Sequence, residues 1–373
     1  MISDTYHDEL GPEKILEVYD ARTGMHGFVV IDNTALGPGK GGIRMTSTVS
    51  KEEVFKLARA MTYKCSLAGL PFGGAKSGII ANPKEITPEH KKAIVKAFAK
   101  ALKPVSPSLY VAAPDIYMAG EEMRIYANTN GSMKSCTGKP ADMGGIPHEL
   151  GSTGFGVYHA TLVAVKHLGL DIKNLKFAVE GFGNVGWFAA KYLTEAGAKL
   201  VGVSDSQGTL CNPKGIVFDK LAKVKKEQRT VVKYTEGKVC SVLKGEEIVG
   251  VDADILITAA IPDLVTDANK HSIKAKIVVQ GSNIPMSPEV EEYLHKKGIL
   301  VIPDFVANAG GVISSYVEYI GGNEKDMFKM VKEKIVKNTT EVLKRAKKKK
   351  IKPRDAALEV ALERIKKAMD KKK

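Results

Sequence analysis

The pattern of hydrophobic and polar positions changes at residues 144–157, a stretch rich in Gly, Ser and Pro. Before it, residues 51–69 carry apolar side chains at helical spacing, with Ser50 as N-cap and Glu53 three residues later. The pattern also predicts a helix over residues 89–102 and a strand over residues 26–32.

Beyond residue 157, short apolar runs alternate with amphipathic segments. Such alternation is typical of a parallel sheet covered by helices, so the predicted fold class is α/β, in two domains. Further helices are predicted from about Gly310 to the C-terminus. The remaining predictions are a strand and turn over 175–186, strands over 199–206, 253–260, 275–283 and 298–305, and helices over 156–169 and 187–197.

The formal net charge of +14 is concentrated in the last 33 residues, which contain 14 Lys or Arg and five Asp or Glu. A basic tail that binds nucleic acid is one interpretation. The other is a solvated face of two helices separated at Pro353, because Leu358, Leu362 and Ile365 recur at helical spacing. We expect the second and therefore no nucleic-acid partner.

Cysteine content and hydropathy indicate the cellular compartment in which we expect the protein. The chain has no run of about 18 apolar residues and no secretory signal pattern, so we expect no contact with a membrane. Few, scattered cysteines fit a reducing cytoplasm and suggest no metal site. These are Cys65, Cys136, Cys211 and Cys240, and none forms a C-x-x-C pair.

Residues 181–186 read Gly-Phe-Gly-Asn-Val-Gly and match the G-x-G-x-x-G motif between a predicted strand and a predicted helix. Gly181 would permit the tight turn, Gly183 the approach of a pyrophosphate, and Gly186 the close packing of the helix on the strand. The remaining motif residues, Asn184 and Val185, would open the helix whose N-terminus faces the phosphates. The motif predicts a Rossmann-type dinucleotide-binding domain.

Asp205 ends the next predicted strand, at the position of the acidic residue that bonds the adenosine ribose. Its negative charge would repel a 2′-phosphate, so the sequence favours NAD over NADP. Ser206 follows it and could instead help to accept a phosphate. Both cofactors therefore stay open.

Three lysines lie in or beside Gly-rich sequence. Lys76 stands in "GLPFGGAKSG" and Lys40 in "LGPGKGGIRM", and we expect both in loops, where glycine lets the backbone approach a ligand. Lys64 lies at the edge of the apolar stripe of the helix over 51–69. Each could be an ordinary surface lysine. Together they predict a cavity for a substrate with more than one negative group.

Several stretches, in order along nearly the whole chain, resemble the glutamate/leucine/phenylalanine/valine dehydrogenase family, and within it the glutamate dehydrogenases most closely. The resemblance implies reversible oxidative deamination of L-glutamate to 2-oxoglutarate and ammonium, with hydride transfer to NAD or NADP, in a homo-oligomer that is a hexamer. The stretches are "LGPGKGGIRM", "TYKCSLAGLPFGGAKSG", "APDIYMAGEEM", "TGKP", "STGFGV", "EGFGNVG" and "VANAGGVISSYVE".

The resemblance also implies catalytic and substrate-binding roles. Lys76 matches the catalytic lysine, and Asp115 matches the aspartate that shuttles protons to and from the substrate nitrogen. Lys64 matches the lysine that binds the substrate α-carboxylate. Lys40 and Ser315 match the residues that bind the side-chain carboxylate in glutamate-specific members.

On the cofactor side, the resemblance places Thr153, Asn283 and Asn308 near the nicotinamide nucleotide. The sequence departs from the family around the catalytic aspartate, where the pattern is usually Gly-Asp-Ile-Gly. Here Pro114 precedes the aspartate and Tyr117 follows Ile116.

We therefore expect a substrate and oligomerisation domain formed by residues 1–150 with 320–373, and a dinucleotide-binding domain formed by residues 151–319, with the substrate in a cleft between them. Two alternatives remain. One is a dehydrogenase for branched-chain or aromatic amino acids, against which Lys40 and Ser315 argue. The other is a non-enzymatic protein that binds NAD, or nucleic acid through its basic tail.

Overall fold

A computed structural model describes residues 7–235 and 241–372. The chain folds into two compact units. The first contains the residues up to Leu150, Val312–Met327 and the residues from Leu358, and the second contains Gly151–Gly311 and Phe328–Ala357. Residues 328–357 therefore lie in the second unit, whereas the sequence interpretation grouped all of 320–373 with the first. Aromatic packing places the start of this segment in the second unit. The ring of Phe328 meets that of Phe155 edge-on, with centroids 5.0 Å apart.

The first unit is built on a five-stranded mixed sheet with the order β1-β2-β4-β3-β5. Strands β1 and β2 are antiparallel, as are β2 and β4, whereas β3 runs parallel to both β4 and β5. The elements are β1 (Lys14–Asp20), β2 (Met25–Asn33), β3 (Gly39–Thr46), α1 (Lys51–Leu67), β4 (Gly73–Ile80), α2 (Pro88–Ala101), β5 (Tyr110–Ala113) and α3 (Gly120–Asn130).

Helices cover both faces of this sheet, which explains why β2 is apolar throughout. On one face, Val29 and Ile31 pack with residues of α2 and α3 such as Phe98. On the other, Phe28 and Val30 pack against the apolar stripe of α1. Helix α1 begins as predicted, with the Ser50 hydroxyl accepting a hydrogen bond from the Glu53 N–H.

The second unit contains a seven-stranded sheet with the order β12-β11-β10-β6-β7-β8-β9. The pairs from β12 to β7 are parallel, and β8 and β9 extend the sheet with antiparallel pairs. The elements are α4 (Ser152–His167), β6 (Lys176–Glu180), α5 (Asn184–Glu195), β7 (Lys199–Asp205), β8 (Gly208–Cys211), α6 (Phe218–Gln228), β9 (Ser241–Leu243), β10 (Ile255–Thr258), β11 (Ile277–Gln280), α7 (Pro288–Lys296), β12 (Leu300–Ile302) and α8 (Asp304–Ala307).

The chain ends in three helices: α9 (Gly310–Tyr319), α10 (Glu324–Lys349) and α11 (Pro353–Asp370). A turn at Gly321, whose φ of 78° suits glycine, separates α9 from α10. In α11 the apolar side is buried, with Val360 and Ile365 at most 1% exposed, while Lys366 and Lys367 face solvent. This burial matches a solvated basic face on a packed helix.

The described cysteines, Cys65, Cys136 and Cys211, are buried, and Cys240 lies outside the described residues. Within residues 7–235 and 241–372, no group of three or more His, Cys, Asp or Glu side chains is arranged to hold a metal ion. None of the described helices combines the length and the hydropathy that a membrane crossing requires.

Candidate active site

Lys40 and Lys76 lie on neighbouring strands, not on the loops that their Gly-rich surroundings predict. Lys40 is in β3 and pairs with Gly74 of β4, which also carries Lys76 two residues later. Because side chains alternate along a strand, both lysines point to the face of the sheet that α1 covers. A Cβ on Gly74 would lie 2.1 Å from Thr62 Oγ1, so glycine in this strand allows α1 to approach closely.

The ammonium of Lys76 forms an ion pair with Oδ2 of Asp115, which follows β5. The pair is well enclosed, with side-chain exposures of 11% for Lys76 and 17% for Asp115. Gly42 of β3 flanks both groups. A Cβ there would lie 3.3 Å from Lys76 Nζ and 2.9 Å from Asp115 Cβ. Glycine at position 42 therefore leaves room for the ion pair of Lys76 and Asp115.

A second cation, Arg44, stands beside the same carboxylate and was missed by the sequence interpretation. Its Nε lies 3.4 Å from Asp115 Oδ2, and its Nη1 contacts Glu53 of α1. Burial raises the pKa of the Asp115 carboxyl, but the charges of Lys76 and Arg44 outweigh burial and hold that pKa below its ordinary value. Burial lowers the pKa of Lys76, and Asp115 only partly opposes this shift.

The turn that carries Asp115 keeps a tight shape despite its unusual sequence. The N–H of Asp115 donates to the Met118 carbonyl at 3.1 Å, and the N–H of Met118 donates back to the Asp115 carbonyl at 2.9 Å. Tyr117 adopts a φ of 58°. This is the left-handed region that glycine prefers, and it falls where the family pattern usually has glycine.

Lys40 is enclosed almost completely, with 1% of its surface exposed. Its ammonium donates to the Ala112 carbonyl at 2.6 Å, and over the described part of the chain no carboxylate forms an ion pair with it. Burial lowers the pKa of Lys40 to about 7. The arrangement keeps the amine away from water, so a carboxylate brought beside it would be its natural counter-ion.

Lys64 and Ser315 belong to the same unit as the two strand lysines. Lys64 lies in the last turn of α1 and is half-buried. Ser315 is half-buried on α9, and the ring of the neighbouring Tyr316 meets Phe72 edge-on, with centroids 5.6 Å apart. Helix α9 therefore contacts the segment immediately before β4.

A buried ion pair fixes the loop after α3. Lys139 Nζ lies 2.5 Å from Glu318 Oε1, and the two side chains are 5% and 1% exposed. Glu318, on α9, also accepts the N–H groups of Gly138 at 2.9 Å and Ile146 at 3.1 Å. Lys139 lies in the stretch "TGKP", and nothing in that local sequence indicates its partner on α9.

The Gly-rich turn after β6 in the second unit has the geometry that the motif predicts. Gly181 has a φ of 84°, and a Cβ on Gly186 would lie 1.8 Å from the Gly181 carbonyl oxygen. Gly183 is the N-cap of α5, and a Cβ there would meet no atom within 4 Å. Asn184 and Val185 form the first turn of α5. Strand β6 lies between β10 and β7, where the strand order reverses, and such a point is where open α/β sheets bind ligands.

Asp205 stands at the end of β7 as predicted, but its carboxylate is already engaged. Lys225 Nζ lies 2.7 Å from Oδ2, and the N–H groups of Val231 and Gln207 donate at 2.8 and 3.0 Å. Burial raises the pKa of Asp205, but these donors outweigh burial and hold it below its ordinary value. Ser206, next in sequence, is exposed. The geometry therefore weakens the argument that Asp205 alone repels a 2′-phosphate.

The two predicted asparagines contact each other. Asn308 Nδ2 donates to Asn283 Oδ1 at 2.8 Å, and among the described residues the buried Oδ1 of Asn308 has no hydrogen-bond partner. Thr153 lies in the first turn of α4, where a Cβ on Gly311 would come within 3.1 Å of its hydroxyl.

These features fit a nicotinamide dinucleotide. The open space beside Gly183 at the N-terminus of α5 suits a pyrophosphate. The unpartnered Oδ1 of Asn308 is an acceptor suited to the amide of the nicotinamide ring.

Two family models cover most of the chain. The model described as glutamate/leucine/phenylalanine/valine dehydrogenase matches residues 144–373, and the dimerisation domain of the same enzymes matches residues 12–131. The chain belongs to the glutamate/leucine/phenylalanine/valine dehydrogenase family. It is an amino acid dehydrogenase that works with a nicotinamide cofactor.

Relatives within this dehydrogenase family differ in cofactor. The chain is 40% identical to the glutamate dehydrogenase of Aeropyrum pernix, over 90% of this chain and 84% of the relative. It is 36% identical to an NADP-specific glutamate dehydrogenase of Saccharolobus shibatae, over 85% and 77% of the two chains. It is also 36% identical to an NAD-specific glutamate dehydrogenase of Staphylococcus aureus, over 80% and 73%.

Among solved structures, the hetero-hexameric glutamate dehydrogenase of Thermus thermophilus superposes on this dehydrogenase with a TM-score of 0.83. The match covers 96% of this chain and 89% of that one, at 27% identity. The two-domain α/β fold, with its Rossmann-type domain, is thus shared with glutamate dehydrogenases.

Proposed function

We propose that the chain catalyses the reversible oxidative deamination of L-glutamate to 2-oxoglutarate and ammonium. The observation that carries this proposal is the enclosed ion pair of Lys76 and Asp115, on the same sheet as the buried, carboxylate-free ammonium of Lys40. Chains 36–40% identical over most of their length are named glutamate dehydrogenases, which supports the same substrate.

In this proposal Lys76 and Asp115 perform the proton chemistry. Burial lowers the pKa of Lys76 and so makes it easier for its ammonium to release a proton, and Lys76 would activate the water that attacks the substrate iminium carbon. Asp115 would carry protons to and from the departing nitrogen. Its lowered pKa keeps it ionised between transfers. Arg44, beside Asp115, would maintain that ionisation when Lys76 is neutral.

Substrate selection would rest on the remaining cations of the first unit. Lys64 would bind the α-carboxylate, and Lys40 with Ser315 would bind the side-chain carboxylate. A branched-chain or aromatic substrate cannot neutralise the buried ammonium of Lys40, so we expect poor activity with leucine or phenylalanine.

The second unit would bind the cofactor through the turn of residues 181–186, Thr153, Asn283 and Asn308. When bound, the nicotinamide ring exchanges a hydride with the substrate α-carbon. We propose that both NAD and NADP are accepted, because Lys225 neutralises Asp205 and the exposed Ser206 offers a hydroxyl. The first unit would serve the substrate and oligomer contacts. We further propose a homohexamer in the cytoplasm, in keeping with the hexameric relative and the buried cysteines.

A spectrophotometric assay tests the proposal. The purified chain is supplied with 2-oxoglutarate and ammonium and with NADH or NADPH, and branched and aromatic 2-oxo acids serve as controls. We expect 2-oxoglutarate to be much the best acceptor. In the reverse direction, a kcat/KM ratio of glutamate to leucine near or below one would refute the glutamate assignment while leaving the family membership intact.

A further inference from the structure

A polar cluster in the second unit joins the start of α11 to the segment that carries Asn283. The guanidinium of Arg354, the second residue of α11, lies among four acceptor atoms. Its Nε donates to Glu291 Oε2 at 2.8 Å, and its Nη2 lies 2.8 Å from Glu291 Oε1, 2.9 Å from Gln280 Oε1 and 3.0 Å from Asp304 Oδ1. Glu291 and Gln280 are 3% and 0% exposed, so the cluster is buried.

The three residues that accept these hydrogen bonds lie on three different elements. Gln280 ends β11, Glu291 is on α7 and Asp304 begins α8. Gln280 also connects them directly, since its Nε2 donates to Glu291 at 2.7 Å and its Oε1 accepts the Asp304 N–H at 3.0 Å. A single arginine therefore holds three elements together at the carboxyl end of β11.

The cluster reaches both asparagines through Asp304. Oδ2 of Asp304 accepts the N–H of Ile284, the residue after Asn283, at 3.0 Å. The carbonyl of Asp304 accepts the N–H of Asn308 at 2.7 Å. The two asparagines then bond to each other. Arg354 is thus linked through Asp304 to Asn308 by hydrogen bonds of 3.0 Å or less, and Asp304 also holds Ile284, the residue next to Asn283.

The segment held in this way is conformationally unfavourable. Ile284 is 58% exposed and has a φ of 49°, which a β-branched residue rarely adopts. Such a conformation persists only where its surroundings impose it. Two hydrogen bonds constrain Ile284: its N–H donates to Asp304, and its carbonyl accepts the Asp263 N–H at 3.0 Å. Arg354 in turn fixes Asp304.

We propose that Arg354 is a positioning residue for the nicotinamide end of the cofactor site. It keeps Asp304 in place, and Asp304 fixes Asn283 and Asn308 in the arrangement that receives the nicotinamide amide. This inference rests on the cofactor role proposed above for the asparagine pair. With this role, the basic C-terminal segment helps to shape the cofactor site and needs no nucleic-acid partner.

Binding of two ligands that differ only in the nicotinamide ring tests this role. In the full-length chain, NADH is compared with ADP-ribose, and NADPH with 2′-phospho-ADP-ribose. Quenching of Trp187, the single tryptophan of the chain, reports binding. For Arg354→Met we expect the Kd of NADH to rise about tenfold or more, because small displacements of positioned groups have effects of this size. The Kd of ADP-ribose should stay nearly unchanged.

Two further variants separate positioning from general stability. Arg354→Lys keeps the charge but loses the planar fork, so it should show the same selective loss to a smaller degree, and it replaces Arg354→Met if that variant does not fold. Arg59→Met removes a comparable arginine, which binds Asp32 and Asp8 in the first unit, and should lower the melting temperature without changing either Kd.

The results separate a failure of the positioning role from a failure of the proposed cofactor site. Equal weakening of both ligands, or no weakening of either, in the Arg354 variants would overturn the positioning role alone. If the unaltered chain binds NADH no better than ADP-ribose, the assignment of the asparagine pair to the nicotinamide is wrong, and this inference falls with it.

Discussion

Lys76 on β4 and Asp115 after β5 form an ion pair across the intervening strand β3, where residue 42 is glycine. Both side chains are mostly enclosed, so Lys76 depends on Asp115 for neutralisation, while Asp115 is neutralised by Lys76 together with Arg44. The lowered pKa values of Asp115 and Lys76 are of the kind that catalytic groups show, which supports the catalytic role proposed for this pair.

Removing either member of the pair should abolish most turnover. For Lys76→Met and Asp115→Asn we expect kcat to fall by about 10²–10⁴-fold, the usual contribution of a general acid or base. Affinity for NADH, measured by Trp187 quenching, should change little, because both residues belong to the other unit. Lys92→Met, at an exposed position on α2, is the matched control. Near-normal turnover in either variant would show that its residue is not catalytic.

Replacing Lys40 with an apolar residue should change substrate preference. In Lys40→Leu the side-chain carboxylate of glutamate loses its buried counter-ion, a loss of about 2–5 kcal/mol. The kcat/KM for glutamate should therefore fall steeply, while that for norvaline or methionine rises. Steady-state kinetics on these three amino acids measure the effect. If the selectivity for glutamate survives the substitution, another cation binds the side-chain carboxylate.

The depressed pKa of Lys40 predicts a pH-dependent stability difference. The ordinary lysine pKa of 10.5 applies in the unfolded chain, whereas the folded value is about 7. Between these values the unfolded chain binds more protons, so the contribution of Lys40 to stability rises with pH. Below pH 7 both states are protonated, and the full cost of burying the ammonium is present.

Lys40→Met should therefore stabilise the fold by a few kcal/mol near pH 6–7, and this gain should disappear towards pH 10.5. Urea unfolding at several pH values measures it. Lys92→Met should show no such trend, because its ammonium is exposed in both states. A gain from Lys40→Met that does not vary with pH would mean that Lys40 keeps its ordinary pKa in the folded protein.

Two neighbouring substitutions test cofactor choice. Asp205→Asn should change the kcat/KM ratio of NADPH to NADH by less than an order of magnitude, because Lys225 already neutralises this carboxylate. It should instead lower the free energy of unfolding by about 1–3 kcal/mol, since buried donors lose a charged acceptor.

Ser206→Asp is the matched variant, because it places a free carboxylate at the adjacent exposed position. It should reduce the use of NADPH about tenfold relative to NADH through repulsion of the 2′-phosphate. A large change of the ratio in Asp205→Asn, with none in Ser206→Asp, would restore Asp205 as the discriminating residue.

Local chemistry was enough to predict part of this protein from its sequence. Helix α1 and its Ser50 cap follow from apolar spacing and a side-chain hydrogen bond within three residues. The turn at residues 181–186 follows from the spacing of its three glycines, which suits a tight connection from a strand to a helix. The parallel strands of the second unit could also be predicted, because each contains a short apolar run.

The strands β3 and β4 could not be predicted in this way, because both are rich in glycine. Glycine in the interior of a strand weakens it unless another part of the protein packs closely there. Here glycine is required by close neighbours from elsewhere in the chain, such as Thr62 against Gly74 and the Lys76–Asp115 pair against Gly42. The partners of Glu318, Asp205 and Arg354 likewise come from distant segments. Sequence supplied the charged and glycine residues, whereas the tertiary structure decided which carboxylates are paired, because only folding brings their donors within hydrogen-bond distance.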